Sequence, residues 1–334
     1  MNKILIITES IPNVNINGVS TTLLQTKIEL EKLHYRVQLI TPLDHGFISL
    51  PCPTDSKVRL VINPWHVGRM IDKSYAEYIH IATEGPLAYA AIRYCEKNGF
   101  HFTTSYHTKM DEYVAKRFKF IKASWITAYL KRLHKNSKAV LVTTNSMKQE
   151  LETKGYNSLI VWSRGVDQTV FNSSQRIEHD DNVLLYVGRV AIEKNIEVFL
   201  QLDLPYKKVV VGDGPLLKFY KSKYPQVEFK GERRGIELAA EYANSDVFVF
   251  PSLTDTFGLV NLESIATGTP VAAFSDASGV KDIIINNVTG YLDCDLKKAV
   301  EVCLKLDRSQ VEAQAKAYTW EACTKIFLKS LITI

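Results

Sequence analysis

No apolar run in this sequence approaches the roughly 20 residues needed to cross a bilayer, so a membrane-spanning helix is not expected. The opening run Ile4-Leu5-Ile6-Ile7 is cut short by Thr8-Glu9 and lacks a cleavage site. It reads as a first β-strand, not a secretory leader, and a cytosolic protein is expected. Cysteine is scarce: Cys52, Cys95, Cys294, Cys303 and Cys323 are scattered without a CxxC pair or metal-ligand spacing, and the odd count argues against a disulfide framework. HExxH and GxSxG are absent, which removes metalloprotease and α/β-hydrolase chemistry. GxGxxG and GxxxxGK[ST] are absent too, so dehydrogenase and P-loop readings lose their main support.

What is present is ordinary for a soluble globular enzyme, with 46% hydrophobic and 23% charged residues. A chain of 334 residues is long for one sheet domain and comfortable for two. Strand signals alternate with helical ones: Ile4–Thr8, a helix from about Ser20 to Leu33, then Val37–Thr41, Val58–Ile62, Tyr78–Ala82, Phe102–Ser105, Ala139–Thr143 and Ile160–Trp162. A polar stretch from Ser163 to Asn182 marks the linker. A second series follows: Val183–Val187, Val209–Val211, Val227–Phe229, Val247–Phe250 and Val271–Phe274, with helices that include Gly258–Thr267 and Gly279–Ile285. Short unbroken Val/Ile/Phe runs indicate parallel strands covered on both faces. The expected fold is therefore α/β, with two doubly wound domains at 1–165 and 166–334, and the last helix is a candidate to pack back on the first. Ligands are expected at the carboxyl ends of the strands, in a crevice between the domains.

The most informative segment joins the strand Val247–Phe250 to a helix through Pro251-Ser252-Leu253-Thr254-Asp255-Thr256-Phe257-Gly258-Leu259-Val260-Asn261-Leu262-Glu263. Asp255 lies in the turn and Glu263 on the helix, while the N–H groups of Gly258 and Leu259 fall where a helix N-terminus favours an anion. One segment thus offers carboxylates for hydroxyls and amides for a diphosphate, as a nucleotide-sugar clamp would. After the strand ending at Val187, Gly188-Arg189 and Glu193-Lys194-Asn195 place two cations beside a strand-to-helix turn, which suits a diphosphate. Gly212 and Gly214 in Val211-Gly212-Asp213-Gly214-Pro215 either let the main chain approach a base or ribose, or serve a turn that needs positive φ; the structural alternative is favoured for the loop alone. Asn17-Gly18-Val19-Ser20 places Gly18 at a helix N-terminus, with an ordinary Ser20 cap as the bland alternative. His107, in Ser105-Tyr106-His107-Thr108-Lys109, follows a strand end where ligand-binding groups are displayed.

Net charge is +5, and Tyr113 to Gln149 holds nine Lys or Arg and no acid, leaving the remaining chain net negative. Within it, Lys116 to Leu133 interleaves cations with Phe, Trp, Tyr and Ile. Three outcomes stand open: an anionic membrane surface, a nucleic-acid track, or an amphipathic helix whose aromatics enter the core. Peripheral membrane contact is preferred over nucleic acid. Asp293-Cys294-Asp295 spells a DxD late in the chain, where a turn is the better reading, and no obligatory metal is expected.

In order along the chain, Asn17-Gly18-Val19, Ser105-Tyr106-His107-Thr108, Arg164-Gly165-Val166-Asp167 with Phe171, Gly188-Arg189 with Glu193-Lys194-Asn195, Gly212-Asp213-Gly214-Pro215, and Pro251-Ser252 through Glu263 to Gly268-Thr269-Pro270-Val271 resemble the retaining glycosyltransferases of family 4. The forms Trp162-Ser163-Arg164-Gly165-Val166-Asp167 and Thr254-Asp255-Thr256-Phe257-Gly258 are most similar to the branch of GDP-mannose-dependent mannosyltransferases and sulfoquinovosyltransferases, many of which act on lipids. The resemblance implies a GT-B fold of two facing Rossmann-like domains with an interdomain cleft. It implies transfer of a hexose from a GDP- or UDP-sugar, with retention and without a cofactor, to an acceptor hydroxyl on a lipid or glycan at the inner membrane face. Arg189, Lys194 and His107 would be catalytic. Gly18, Arg164, Gly212, Gly214, Asp255, Phe257, Gly258, Leu259 and Glu263 would bind the donor, with Asp255 one methylene shorter than the family's usual Glu. A sugar transferase acting on nucleic acid and a catalytically silent GT-B binding subunit are the alternatives.

Overall fold

The computed structural model describes residues 2–334 except 13, 15, 16, 53, 54, 111–121 and 278. The chain forms two compact units, one of Met1–Arg164 with Trp320–Ile334, the other of Gly165–Thr319.

The first unit is built on a parallel sheet of strands β1 (Lys3–Ile7), β2 (Arg36–Ile40), β5 (Tyr78–Ile81), β6 (Thr103–Tyr106), β7 (Val140–Val142) and β8 (Leu159–Val161), in the order β2-β1-β5-β6-β7-β8. Its order reverses beside β1, where a doubly wound sheet opens a crevice at the strand ends. Ile4 to Ile7 are fully buried, which is why this strand reads as an unbroken apolar run. The expected strand at Val58–Ile62 belongs elsewhere: β4 (Asp55–Val61) pairs antiparallel with β3 (Ser49–Cys52) as a separate ribbon. Two residues separate these strands, far too few for the crossover that parallel pairing needs.

The helix Trp320–Ser330 lies in this unit. Phe327 is fully buried, its ring 5.0 Å from Trp162 and 4.8 Å from His80. Just beyond, Ile334 donates its N–H to Glu77 O at 3.0 Å, next to the bridge between Tyr78 and Thr333.

The second unit repeats the parallel architecture with β9 (Val183–Val187), β10 (Lys207–Val211), β11 (Glu228–Gly231), β12 (Val247–Phe250), β13 (Val271–Phe274) and β14 (Gly290–Asp293), in the order β11-β10-β9-β12-β13-β14. Strand β14 was not expected, because Tyr291-Leu292 is too short an apolar run to register. The helix expected over Gly279–Ile285 is a single 3-10 turn, Val280–Asp282. No helix among the described residues is long and apolar enough to cross a membrane.

Because Phe327 fills the space between Trp162 and His80, Phe327→Ala is expected to lower the unfolding free energy of the first unit by about 3–5 kcal/mol. Urea denaturation followed by Trp162 fluorescence checks this, and wild-type stability in the variant contradicts the packing described.

Candidate functional site

In the second unit the site grows from three turns at the carboxyl ends of β9, β10 and β12. Gly188 (φ +152°) and Gly212 (φ +140°) let the β9 and β10 turns meet main chain to main chain. A Cβ on Gly212 would lie 1.9 Å from Gly188 O, and one on Gly214 would lie 2.4 Å from Val190 O. The contact is closed by Val190 N–H donating to Asp213 O at 2.9 Å and Leu216 N–H donating to Val190 O at 3.1 Å. Gly212 and Gly214 therefore answer first to the fold, since any side chain there would separate the turns.

The β9 and β12 turns are tied by side chains. Asn195, itself in the left-handed region at φ +53°, donates from Nδ2 to Pro251 O at 3.1 Å. Thr254 Oγ1 donates to Glu193 O at 3.4 Å. Lys194 Nζ meets Asp255 Oδ1 at 2.5 Å, while Asp255 Oδ2 is buried without a hydrogen-bond partner among the described residues. Arg189 lies 3.9 Å from Glu193 Oε1, and Tyr186 Oη donates to the Arg189 carbonyl at 2.9 Å. Behind the Asp255 turn, a Cβ on Gly279 would come 2.5 Å from Asp255 O, so this glycine lets the following segment back the loop.

Gly258 (φ +77°) then opens the helix Leu259–Ala266, whose first-turn N–H groups have no helical carbonyl to bond. Phe257 does not offer its ring to a ligand; it is packed in the core with Phe250 and Leu262. Glu263 is half-buried and accepts from Tyr242 Oη at 3.1 Å. Burial pushes its carboxyl up to about 7 against the opposing effect of that hydrogen bond.

In the first unit the candidates stand at the ends of β6 and β8 and at the first helix. That helix begins at Gly18, two residues before the expected Ser20, because Asn17 is the cap. The Asn17 side chain accepts from Val19 and Ser20 N–H, and Ser20 reciprocates from the third helical position. Gly18 is exposed in the first turn. His107 is buried at the end of β6, and Arg164 Nη2 lies 2.8 Å from its Nδ1. Burial first, then the Arg164 charge and the neighbouring His80 and His134, hold the His107 ring well below the usual histidine range.

Two buried carboxylates that sequence reasoning missed support this end of the sheet. Glu9 caps the helix Pro86–Asn98, accepting from Leu87 N–H at 2.8 Å and Ala88 N–H at 3.1 Å. Glu84 accepts the main-chain N–H of His107 and faces His134 Nε2 at 3.8 Å, and burial raises its carboxyl. His134 Nδ1 in turn meets Thr104 Oγ1 at 2.8 Å.

Of the basic aromatic segment, Lys116–Ile121 lies outside the described residues. The remainder carries the helix Ala123–His134, with Leu130 and Leu133 buried and Lys131 and Arg132 exposed. Trp125 is 66% and Tyr129 40% exposed, so these two aromatics do not enter the core. Tyr129 continues a surface row, 6.3 Å from Tyr89, which is 6.2 Å from Trp65. In the DxD sequence Asp293 ends β14 and pairs with Lys298 at 2.7 Å, while Asp295 caps the helix Leu296–Cys303. Among the described residues no group of three or more His, Cys, Asp or Glu is placed to hold a metal ion.

Known proteins resemble this chain along most of its length. Residues 16–170 match the family described as Glycosyltransferase Family 4, and residues 167–311 match Glycosyl transferases group 1. A sulfoquinovosyl transferase of Arabidopsis thaliana is 31% identical over 84% of this chain, and the chain spans 61% of that protein's length. A GDP-mannose-dependent alpha-mannosyltransferase of Mycolicibacterium smegmatis is 28% identical, with 89% of this chain and 88% of that protein covered. Among solved structures, a sucrose-phosphate synthase from Thermosynechococcus elongatus superposes with a TM-score of 0.78 at 18% identity, covering 98% of both chains. With two Rossmann-like parallel-sheet units and matches that together run from residue 16 to 311, the chain belongs to the family 4 glycosyltransferases of the GT-B fold.

Proposed function

We propose that the protein is a retaining glycosyltransferase that moves a hexose from a GDP- or UDP-linked sugar to an acceptor hydroxyl on a lipid or glycan, without an obligatory metal. The observation that carries this reading is the convergence at the ends of β9 and β12: Arg189, Lys194 and Asp255 gathered by the Asn195–Pro251 and Lys194–Asp255 contacts, with Glu263 on the helix that follows. As the bond between sugar and diphosphate breaks, negative charge grows on the leaving group. A guanidinium, an ammonium and the first-turn amides at Gly258 and Leu259 neutralise it, which is the work a metal ion does elsewhere.

Further residues take a part in this scheme. Glu263 accepts from the ribose hydroxyls, and Asp255 both holds the Lys194 ammonium and contacts the donor sugar. The family resemblance assigns His107 and Gly18 to the reaction as well. Gly212 and Gly214 act by keeping the β9 and β10 turns together, and Phe257 acts by fixing the loop around Gly258. The scheme requires no protein nucleophile.

The lipid side of the proposal rests on the helix Ala123–His134, which exposes Trp125 and Tyr129 beside Lys131 and Arg132. Aromatics together with cations suit the headgroup layer of an anionic leaflet, placing the protein peripherally on the inner membrane face.

Three measurements test the scheme. Lys194→Ala and Arg189→Ala are each expected to lower turnover of a nucleotide sugar at least about tenfold while the fold survives; near-normal turnover in both removes the mechanism. Replacing Trp125 by Ala together with Lys131 and Arg132 by Glu is expected to lower binding to phosphatidylserine vesicles by about tenfold or more, since each basic residue near such a surface contributes about 1 kcal/mol. Unchanged sedimentation with vesicles refutes the membrane contact.

The third concerns Glu263, whose raised folded-state pKa stabilises fully only below the unfolded value and loses that contribution as pH rises through about 7. Glu263→Gln, which cannot ionise, is therefore expected to gain in melting temperature relative to wild type as pH is raised from acid to about 7 and to hold that gain above it. A pH-independent difference shows that the Glu263 carboxyl is not perturbed.

A further inference from the structure

Arg164 is buried, only 4% exposed, at the end of the first unit's last strand. A buried guanidinium is costly unless its donors are used. Here Nη1 donates to Trp162 O at 2.5 Å and to Ser163 O at 3.0 Å, and the Cζ atom lies 4.6 Å from the centre of the Trp162 ring. These local contacts anchor the group, and burial lowers its pKa only to about 10, so it stays charged. The second arm reaches 57 positions back along the chain, where Nη2 meets His107 Nδ1 at 2.8 Å.

The chemistry of that contact has one solution. A guanidinium can only donate, so Nδ1 of His107 must supply a lone pair. The ring is therefore neutral with its proton on Nε2, because a doubly protonated imidazole would set an N–H against an N–H. Trp162 braces both partners, its ring 5.8 Å from the His107 ring, and is itself backed by Phe327. Cys323 Sγ lies 2.9 Å from the Ser163 carbonyl, so the helix Trp320–Ser330 supports the segment that carries the guanidinium. The main chain of His107 is held from the other side by the Glu84 carboxylate.

We propose that Arg164 is a positioning residue that locks His107 in the Nε2–H tautomer, making the imidazole a neutral hydrogen-bond donor and denying it the role of general base. The inference deepens the proposed transferase reading and rests on it for its functional sense. A neutral Nε2–H suits a sugar hydroxyl or phosphate oxygen that must be held in place. A ring whose lone pair is already engaged by a cation takes no proton from an acceptor, so deprotonation of the acceptor falls to another group, such as the departing diphosphate itself. Arg164 then acts on the reaction through His107, not by touching the donor.

The test reads the ring directly and needs no sugar. In ¹⁵N-labelled protein, with the His107 resonances assigned by difference against His107→Gln, long-range ¹H–¹⁵N spectra should show Nδ1 without a proton and Nε2 with one, unchanged from pH 8 down to about pH 5. The groups facing this ring are Arg164, His80, His134 and Glu84, and each histidine is assigned separately. Arg164→Met should give a mixed tautomer, with part of the population protonated on Nδ1, while Arg164→Lys, which keeps a donor, should preserve the wild-type pattern. With an active donor in hand, the Met variant should also lose kcat/KM, and the Lys variant should restore it. A proton on Nδ1 in the wild-type protein overturns the proposal, as does an Arg164→Met spectrum identical to wild type. Should the Met variant not fold, the wild-type tautomer alone decides. A correct tautomer in a protein that transfers no sugar would sink the transferase reading and leave the lock standing.

Discussion

The arrangement of the second unit depends on how closely its main chain approaches itself at the ends of β9 and β10. Those turns touch carbonyl against glycine, with no side chain between them. The glycines cost conformational entropy on folding, offset by packing that no other residue permits. Once this contact is set, Gly188 to Asn195 has a fixed path. Lys194 is then delivered to Asp255, which arrives on a different turn some sixty residues later. The ionic centre is thus set up by backbone proximity, and the Lys194–Asp255 pair then ties the β9 and β12 turns together.

The two units solve the same geometric problem with different materials. In the second, a glycine seam and an ion pair hold the strand ends. In the first, charged and aromatic groups are buried: Glu9 on a helix N-terminus, Glu84 on the His107 main chain, and Arg164 between Trp162 and His107. Each of these buried polar groups would be a liability alone. Each is tolerated because it is hydrogen-bonded: Glu9 to main-chain N–H groups and the Thr83 hydroxyl, Glu84 to the His107 main chain, and Arg164 to carbonyls and the His107 ring.

Much of this was legible in the sequence. The unbroken runs at Ile4–Ile7, Val183–Val187 and Val247–Phe250 mark buried parallel strands because nothing polar interrupts them. Gly188-Arg189, Glu193-Lys194 and Asp255 through Glu263 each sit at a strand-to-helix junction, where composition and position say the same thing. The ribbon of β3 and β4 and the short strand β14 were misread because their residues are too few and too mixed to show a period. Glu9 and Glu84 were invisible for another reason. A carboxylate earns its partner by tertiary placement, and nothing near Glu84 in the chain announces His134 fifty residues on. Phe257 and Arg164 were read as facing the donor because they stand in motifs, whereas their side chains are engaged with the protein itself.

The placement of Trp320–Ser330 orders events during synthesis. The chain leaves the first unit after Arg164, completes all of the second, and only then supplies the helix that backs Trp162. On a ribosome, the Trp162–Arg164 segment therefore waits, with its supporting surface missing, until the helix Trp320–Ser330 has emerged. The unit begun first is completed only after the second, and the guanidinium meets its final surroundings only once that helix has been made.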